Sequence, residues 1–151
     1  MIPITKPCLS DEEVVSVREV IESGWVTQGP KVLEFEESFA TSVGASFATA
    51  VSSCTTGLHL ALKVVGVSQG DEVITVSHSY IATANAIRYC DAIPCFVDIE
   101  PDTYNIDPSE VEKAINKNTK AILCVHQMGM PCNLSRLLEI SRKHDLPLIE
   151  D

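Results

Sequence analysis

The stretch EVITVSHSYIATANAI, residues 72–87, carries the pattern that decides the fold. Its first five residues form an almost continuous apolar run, which is typical of a strand buried on both faces. The residues around Ala82, Ala84 and Ala86 favour a helix. A strand that passes into a helix within a few residues is the first half of a βαβ unit.

The same alternation recurs along the chain. Further runs typical of strands are FATAV (47–51), IPCFV (93–97), KAILCV (120–125) and LPLIE (146–150). Between them, apolar residues recur at helical spacing from Leu58, from Val111 and from Leu134. Strands that recur every ~20–27 residues, with helices between them, are typical of βαβ units. The sequence therefore predicts an α/β fold with a mostly parallel, doubly wound sheet.

Residues 1–45 precede this alternation and are predicted to form two helices. The capping box S-x-x-E at Ser10 predicts the start of the first helix. The turn-rich loop GWVTQGP (24–30) follows, and its last residue, Pro30, can begin the second helix. We therefore divide the sequence into residues 1–45, with two helices and a loop, and residues 46–151, with the α/β sheet.

Composition and charge bear on the partners. The net charge of -10 argues against nucleic acid, and no stretch reaches the ~18 consecutive apolar residues of a membrane span. The N-terminus shows no signal peptide, and the six cysteines form no CxxC pair. We therefore expect free thiols in the cytoplasm. The spacing of Cys124, His126 and Cys132 fits no common zinc pattern, so no metal site is predicted.

In an open α/β sheet, ligands bind beyond the carboxyl ends of the strands. Residues predicted at that edge are SCTTG (53–57), SHSY (77–80), His126, Gln127 and Asp151. Small hydroxyl residues at a helix start either cap the helix or leave N–H groups for an anion such as phosphate. Tyr80 either stacks on a flat ligand or packs in the ordinary way. Asp151 ends a buried apolar strand, so its carboxylate needs a partner, and a heterocyclic N–H⁺ is one candidate.

Six segments, in order, resemble the DegT/DnrJ/StrS family of sugar aminotransferases: GWVTQGPKVLEFEESFA, SSCTTGLHLAL, GDEVITVSHSYIATANAI, FVDIEPDTYNIDP, HQMGMP and LPLIED. The resemblance covers the chain from about Ile4 to Asp151. It implies the large domain of the pyridoxal 5'-phosphate (PLP)-dependent transferases, the aspartate aminotransferase fold (fold type I). It also implies that residues 46–151 are only part of that domain, truncated after Asp151, and that the small C-terminal domain is absent.

The resemblance implies roles for single residues. Cys54 and Thr55 match the family's S-G-T-x-x-L segment and would hold the phosphate of PLP. The family usually has Gly at the position of Cys54, so a side chain must be accommodated there. Tyr80 would stack on the pyridine ring, and Asp151 would bind the pyridinium nitrogen.

Other positions are implied on the substrate side or left open. Thr27 and Gln28, in the G-W-x-T-x-G-P loop, would lie near the sugar substrate. His126 matches a common family histidine, and a structural role at the end of a strand is the alternative. No lysine matches the family's catalytic position, so the Schiff-base lysine is expected beyond Asp151. The 151-residue chain alone is therefore expected to be inactive.

The resemblance implies a PLP-dependent aminotransferase that converts a nucleotide-linked keto sugar to an amino sugar. Glutamate would be the amino donor, the full-length form would be a homodimer, and the product would serve surface polysaccharide or antibiotic sugar biosynthesis. Two other interpretations stay open: a sugar dehydratase of the same family that uses PLP or pyridoxamine phosphate (PMP), and a non-catalytic remnant or regulatory module. A nicotinamide-dependent oxidoreductase suits the α/β pattern, but the glycine fingerprint G-x-G-x-x-G is absent.

Overall fold

The computed structural model describes residues 5–151. The chain divides into two compact units, Met1–Ala50 and Val51–Asp151, whereas the sequence predicts a boundary between residues 45 and 46. No helix within residues 5–151 is both long enough and apolar enough to cross a membrane.

The first unit contains two helices, α1 (Asp11–Ser23) and α2 (Pro30–Val43). Ser10 caps α1 through a capping box with Glu13, as predicted. Gly24 ends α1 with a φ of 74°. This left-handed conformation is open to glycine and is disfavoured for residues that carry a Cβ. The second helix begins at its proline, as predicted.

The apolar stripes of α1 and α2 are open to solvent in the part of the chain that the structure describes. No residue of either helix is buried. The stripes include Val17, Ile21, Phe35 and Phe39, whose exposed fractions lie between 51% and 63%. Helices with such a stripe normally bury it against another element.

The second unit is built on a four-stranded sheet in the order β2-β1-β3-β4, and every neighbouring pair is parallel. The strands are β1 (Glu72–Val76), β2 (Ile93–Val97), β3 (Thr119–Cys124) and β4 (Leu148–Glu150). The helices are α3 (Cys54–Val64), α4 (Ile81–Arg88), α5 (Pro108–Ala114) and α6 (Leu134–His144), and a 3₁₀ turn at Gln127–Gly129 follows β3. The predicted parallel α/β sheet is confirmed.

Alternate residues of the central strands point to opposite faces of the sheet. Both faces are apolar, and helices cover both of them. On one face, Val73 and Leu123 pack with Leu58 and Leu62 of α3. The other face packs against α5 and α6, and its buried residues include Ile74, Ile122, Val111, Leu137 and Ile140. The architecture is therefore doubly wound, as the sequence predicts.

The strand predicted at FATAV, residues 47–51, is not formed. Within the described chain these residues pair with no strand, and the amide of Ala50 donates to the carboxylate of Glu36 at 2.7 Å. Strand composition is a preference for a pleated, paired environment, and it creates a strand only where a neighbour supplies the hydrogen bonds. The prediction of a fifth strand is therefore wrong for this chain.

Candidate functional site

The first turn of α3 combines a helix cap with two free backbone amides. Ser53 is the N-cap: its Oγ accepts from the N–H of Thr56 at 3.2 Å, and its carbonyl accepts from the N–H of Gly57 at 3.0 Å. The N–H groups of Cys54 and Thr55 have no acceptor within residues 5–151, as is usual in the first turn of a helix. Capping and anion binding are thus compatible here, because they use different amides.

Asp151 follows β4 and extends the sheet by two hydrogen bonds. Its N–H donates to the carbonyl of Cys124 at 2.8 Å, and its carbonyl accepts from the N–H of His126 at 3.1 Å. Its half-buried side chain accepts from the hydroxyl of Thr83 at 2.5 Å and from the thiol of Cys54 at 3.6 Å. The structure therefore brings Asp151 to the first turn of α3, and supplies the partners that its position requires.

The thiol of Cys54 shares this environment. Although the residue as a whole is exposed, partial burial of the thiol raises its pKa, and the negative charge and hydrogen bond of Asp151 raise that pKa further. The thiol is therefore protonated at neutral pH and acts as a hydrogen-bond donor to the carboxylate.

Thr83 is a residue of the site that the sequence analysis did not single out. The residue is 1% exposed, and its Oγ1 lies 2.6 Å from the Oγ of Ser79 and 2.5 Å from Oδ2 of Asp151. The available signal was a pair of hydroxyl residues four positions apart at the start of a helix, which places them on one face. Their common partner could not be found from spacing, because it lies 68 residues further along the chain.

Tyr80 is the N-cap residue of α4, and the residue is 80% exposed. Its carbonyl accepts from the N–H of Thr83 at 3.1 Å. A single hydrogen bond therefore links the backbone of Tyr80 to Thr83, whose side chain contacts Asp151. No packing within the described chain covers the ring, and it is open to a ligand at this edge.

His126 makes structural contacts at the end of β3. Its Nδ1 accepts from the N–H of Cys132 at 3.1 Å, so the neutral ring carries its proton on Nε2, which lies 2.9 Å from Oε2 of Glu150. These contacts join the ends of β3 and β4 and support the structural alternative for His126. Among residues 5–151, no three or more His, Cys, Asp and Glu side chains are grouped to hold a metal ion.

The buried Asn105 was also missed from the sequence, and it fixes the loop that follows β3. Its Nδ2 donates to the carbonyls of Met130 and Pro131 at 3.0 and 3.1 Å, and its Oδ1 accepts from the N–H of Gln127 at 2.9 Å. This loop lines a cavity of about 580 Å³ at the carboxyl edge of the sheet, together with His78, Asp102 and Tyr104.

Thr27 and Gln28 lie in the first unit, in the loop between α1 and α2. The indole N–H of Trp25 donates to the carbonyl of Gln28 at 2.7 Å, and a Cβ at Gly29 would collide with the indole ring. The loop therefore depends on glycine at that position. The substrate role of Thr27 and Gln28 stays a prediction.

The lysines of the second unit lie at the ends of its helices and strands that are opposite to the site. Three are in the last turns of α3, α5 and α6, and two lie at or before the start of β3: Lys63, Lys113, Lys143, Lys117 and Lys120. The first turn of α3 and Asp151 lie at the carboxyl edge. Within Val51–Asp151, no lysine is therefore placed beside this site.

The sequence and the fold of the chain match a known family and its solved structures. The profile of the DegT/DnrJ/EryC1/StrS aminotransferase family matches residues 7–151. The spore coat polysaccharide biosynthesis protein SpsC of Bacillus subtilis is 45% identical over 150 residues, which are 99% of this chain and 39% of SpsC.

Two crystal structures share the fold. An aminotransferase from Psychrobacter cryohalolentis superposes with a TM-score of 0.94 and 32% identity, over 99% of this chain and 38% of its own. NtdA from Bacillus subtilis, with bound cofactor PMP, superposes with a TM-score of 0.91 and 34% identity, over 93% of this chain and 32% of NtdA. The chain thus spans about two fifths of the length of SpsC. By its sequence and its fold, the chain belongs to the DegT/DnrJ/EryC1/StrS aminotransferase family.

Proposed function

We propose that the protein carrying this chain is a PLP-dependent aminotransferase that converts a nucleotide-linked keto sugar to an amino sugar, with glutamate as donor. The observation that carries the proposal is the meeting of the Asp151 carboxylate with the first turn of α3, through the 3.6 Å contact of Cys54. Family membership supports an aminotransferase, and the name of SpsC supports a role in polysaccharide biosynthesis. A homodimer and a cytoplasmic location are part of the same proposal.

The charges of the site suit PLP. The free amides of Cys54 and Thr55, at the positive end of α3, favour a phosphate. The carboxylate of Asp151 favours a protonated ring nitrogen. PLP carries both an anionic phosphate and a basic heterocycle, so it suits the amides of α3 and the carboxylate of Asp151 together. NtdA holds PMP, the amine form of PLP. When bound, the cofactor supplies an electron sink for bond breaking at the substrate carbon.

The residues of this chain have separate tasks in the proposal. Asp151 keeps the proton on the ring nitrogen, because its negative charge stabilises the cation. Cys54 and Thr55 anchor the phosphate by backbone donation, which the replacement of the family's Gly by Cys54 leaves intact. Tyr80 would cover one face of the ring. The lysine that would link the cofactor is expected outside residues 1–151.

The experiment uses the full-length protein with PLP, glutamate and a panel of nucleotide-linked keto sugars. Mass spectrometry is expected to show an amino sugar, formed together with 2-oxoglutarate. Asp151→Asn is expected to lower turnover by about 100-fold or more, because the charge that stabilises the ring cation is lost. A sugar that loses a hydroxyl without gaining nitrogen would indicate the dehydratase instead.

Asp145→Asn is the matched control. Asp145 caps α6 at its C-terminus, away from the carboxyl edge, with a φ of 52° that asparagine also tolerates. This variant also removes one carboxylate and is expected to keep the turnover of the wild type. Turnover of the wild type in Asp151→Asn, with the far-ultraviolet circular dichroism unchanged, would disprove the assignment of Asp151.

A further inference from the structure

The buried hydroxyl of Thr83 holds one oxygen of the Asp151 carboxylate. An ionised carboxylate can only accept, so Thr83 is the donor in its 2.5 Å contact with Oδ2. The hydroxyl of Thr83 has a single proton, which it donates to Asp151. The 2.6 Å contact between Ser79 and Thr83 must then be a donation from Ser79. The three side chains form a directed chain, from Ser79 to Thr83 to Asp151.

This chain makes the two carboxylate oxygens of Asp151 unequal. Oδ2 accepts the short bond from Thr83, a residue that is 1% exposed. Among residues 5–151, Oδ1 accepts only the 3.6 Å contact from the thiol of Cys54. Hydrogen bonds to a charged group are stronger than neutral ones, and a thiol is a weak donor. The carboxylate is therefore fixed through Oδ2, and Oδ1 is the oxygen that remains available to a cation.

Thr83 is itself held in place by the start of α4. It lies in the first turn of that helix, and its N–H donates to the carbonyl of Tyr80 at 3.1 Å. One residue therefore connects the backbone of Tyr80 to the side chain of Asp151. A change at Thr83 acts on the carboxylate through a single identifiable atom, Oγ1.

We propose that Thr83 is a positioning residue that orients Asp151 so that Oδ1 faces the ring nitrogen of the cofactor. The inference rests on the proposed function, since it requires Asp151 to bind that nitrogen. Donation from Thr83 stabilises the carboxylate anion, so the shared proton stays on the ring nitrogen and not on the carboxylate. Without this donor, the carboxylate rotates more freely and competes for the proton.

The test measures PMP bound to the full-length protein, because PMP forms no covalent bond with a lysine. Its dissociation constant and the ¹⁵N chemical shift of a labelled ring nitrogen are recorded for each variant. Thr83→Val keeps the shape of the side chain and removes the donor. We expect PMP to bind about 10-fold more weakly, and the ring nitrogen to lose its proton at a lower pH. Thr83→Ser restores a hydroxyl and is expected to recover both values.

Thr75→Val is the matched control. Thr75 is a fully buried residue of β1 whose hydroxyl has no hydrogen-bond partner within the described chain, so its loss removes no contact with Asp151. This variant is expected to bind PMP as the wild type does. Ser79→Ala leaves Thr83 in place and removes only the first donor of the chain, with an expected weakening of about 2-fold in the same direction.

The outcomes separate the inference from the proposed function. If Asp151→Asn binds PMP with the affinity and ¹⁵N shift of the wild type, the proposed role of Asp151 fails. If Asp151→Asn changes both values and Thr83→Val changes neither, the role of Thr83 is overturned. A defect in Thr83→Val that Thr83→Ser does not correct would show that packing matters and the hydroxyl does not. Should Thr83→Val fail to fold, wild-type values in Ser79→Ala would overturn the inference.

Discussion

The carboxylate of Asp151 shows which part of a site can be predicted from sequence. Its place after a buried strand predicts that it needs a partner, and the structure supplies two. The identity of those partners is not predictable by spacing, because Thr83 and Cys54 are 68 and 97 residues away. Only the packing of α3 and α4 on the same face of the sheet brings them together.

The pH dependence of Cys54 alkylation tests this arrangement. Burial and Asp151 both raise the pKa of the thiol, and only the thiolate reacts. In the cofactor-free full-length protein, the midpoint of the rate of iodoacetamide labelling at Cys54 is expected above the ordinary thiol value of about 8.5. Asp151→Asn removes the negative charge, so the midpoint is expected to fall, while the contribution of burial remains.

Peptide mapping by mass spectrometry separates Cys54 from the other thiols, and the exposed Cys8 reports the reactivity of the reagent in each sample. An unchanged midpoint in Asp151→Asn would mean that the thiol and the carboxylate do not interact in solution. Protection of Cys54 by added PLP would independently support the proposed cofactor site.

Helices of this chain were predictable because their signals are local. The capping box at Ser10, the proline of α2 and the asparagine cap of α6 each act within one turn. Strands β1 and β2 agree with the predicted ranges because each is an almost continuous apolar run. Only β1 is central and largely buried, whereas β2 lies at the edge of the described sheet and has no buried residue. Residues 47–51 have the same composition but no neighbour in the described chain, and pairing is a property that no local signal encodes.

Two glycines, one with a left-handed backbone and one with a helical backbone, give a test of helix stability. Gly24 ends α1 in the left-handed region, with a φ of 74° and nothing within 4 Å of an added Cβ. Gly24→Ala is expected to lower the free energy of unfolding by about 1 kcal/mol, since the cost is backbone strain alone. Gly57 lies inside α3 with ordinary φ, and an added Cβ would meet Val51 at 3.5 Å. Gly57→Ala is expected to raise the free energy of unfolding by about 0.5–1 kcal/mol.

Urea unfolding of the full-length protein, followed by far-ultraviolet circular dichroism, measures both changes under identical conditions. The prediction depends on their opposite signs, because the same methyl group is added each time. Equal signs would show that the conformation of Gly24 or the packing around Gly57 differs from that described here.

The two units differ in how much apolar surface they bury. The second unit has a cluster of buried residues on each face of its sheet, whereas the helices of the first unit bury none of their residues. Phe35 and Phe39 form an exposed aromatic pair, with ring centroids 5.9 Å apart. Contiguous exposed apolar surface is often a site of association between protein chains.

The polypeptide of residues 1–151, prepared alone, is therefore expected to associate as its concentration rises, despite its net charge of -10. Sedimentation velocity over a range of concentrations measures this. Replacing Phe35 and Phe39 together by serine, with Tyr89 replaced in a control because it is an exposed aromatic of the second unit, is expected to reduce association. A single monomeric species at every concentration would contradict the prediction.

The contact between Thr83 and Asp151 also sets a time order for synthesis. A ribosome adds about 5–20 residues per second, so the 68 residues between these side chains take roughly 3–14 s to make. During that interval the nascent chain already contains the amides of α3 and the hydroxyl of Thr83, but not the carboxylate that joins them. The first turn of α3, where we propose that the phosphate binds, is therefore synthesised before Asp151, which we propose to bind the ring nitrogen.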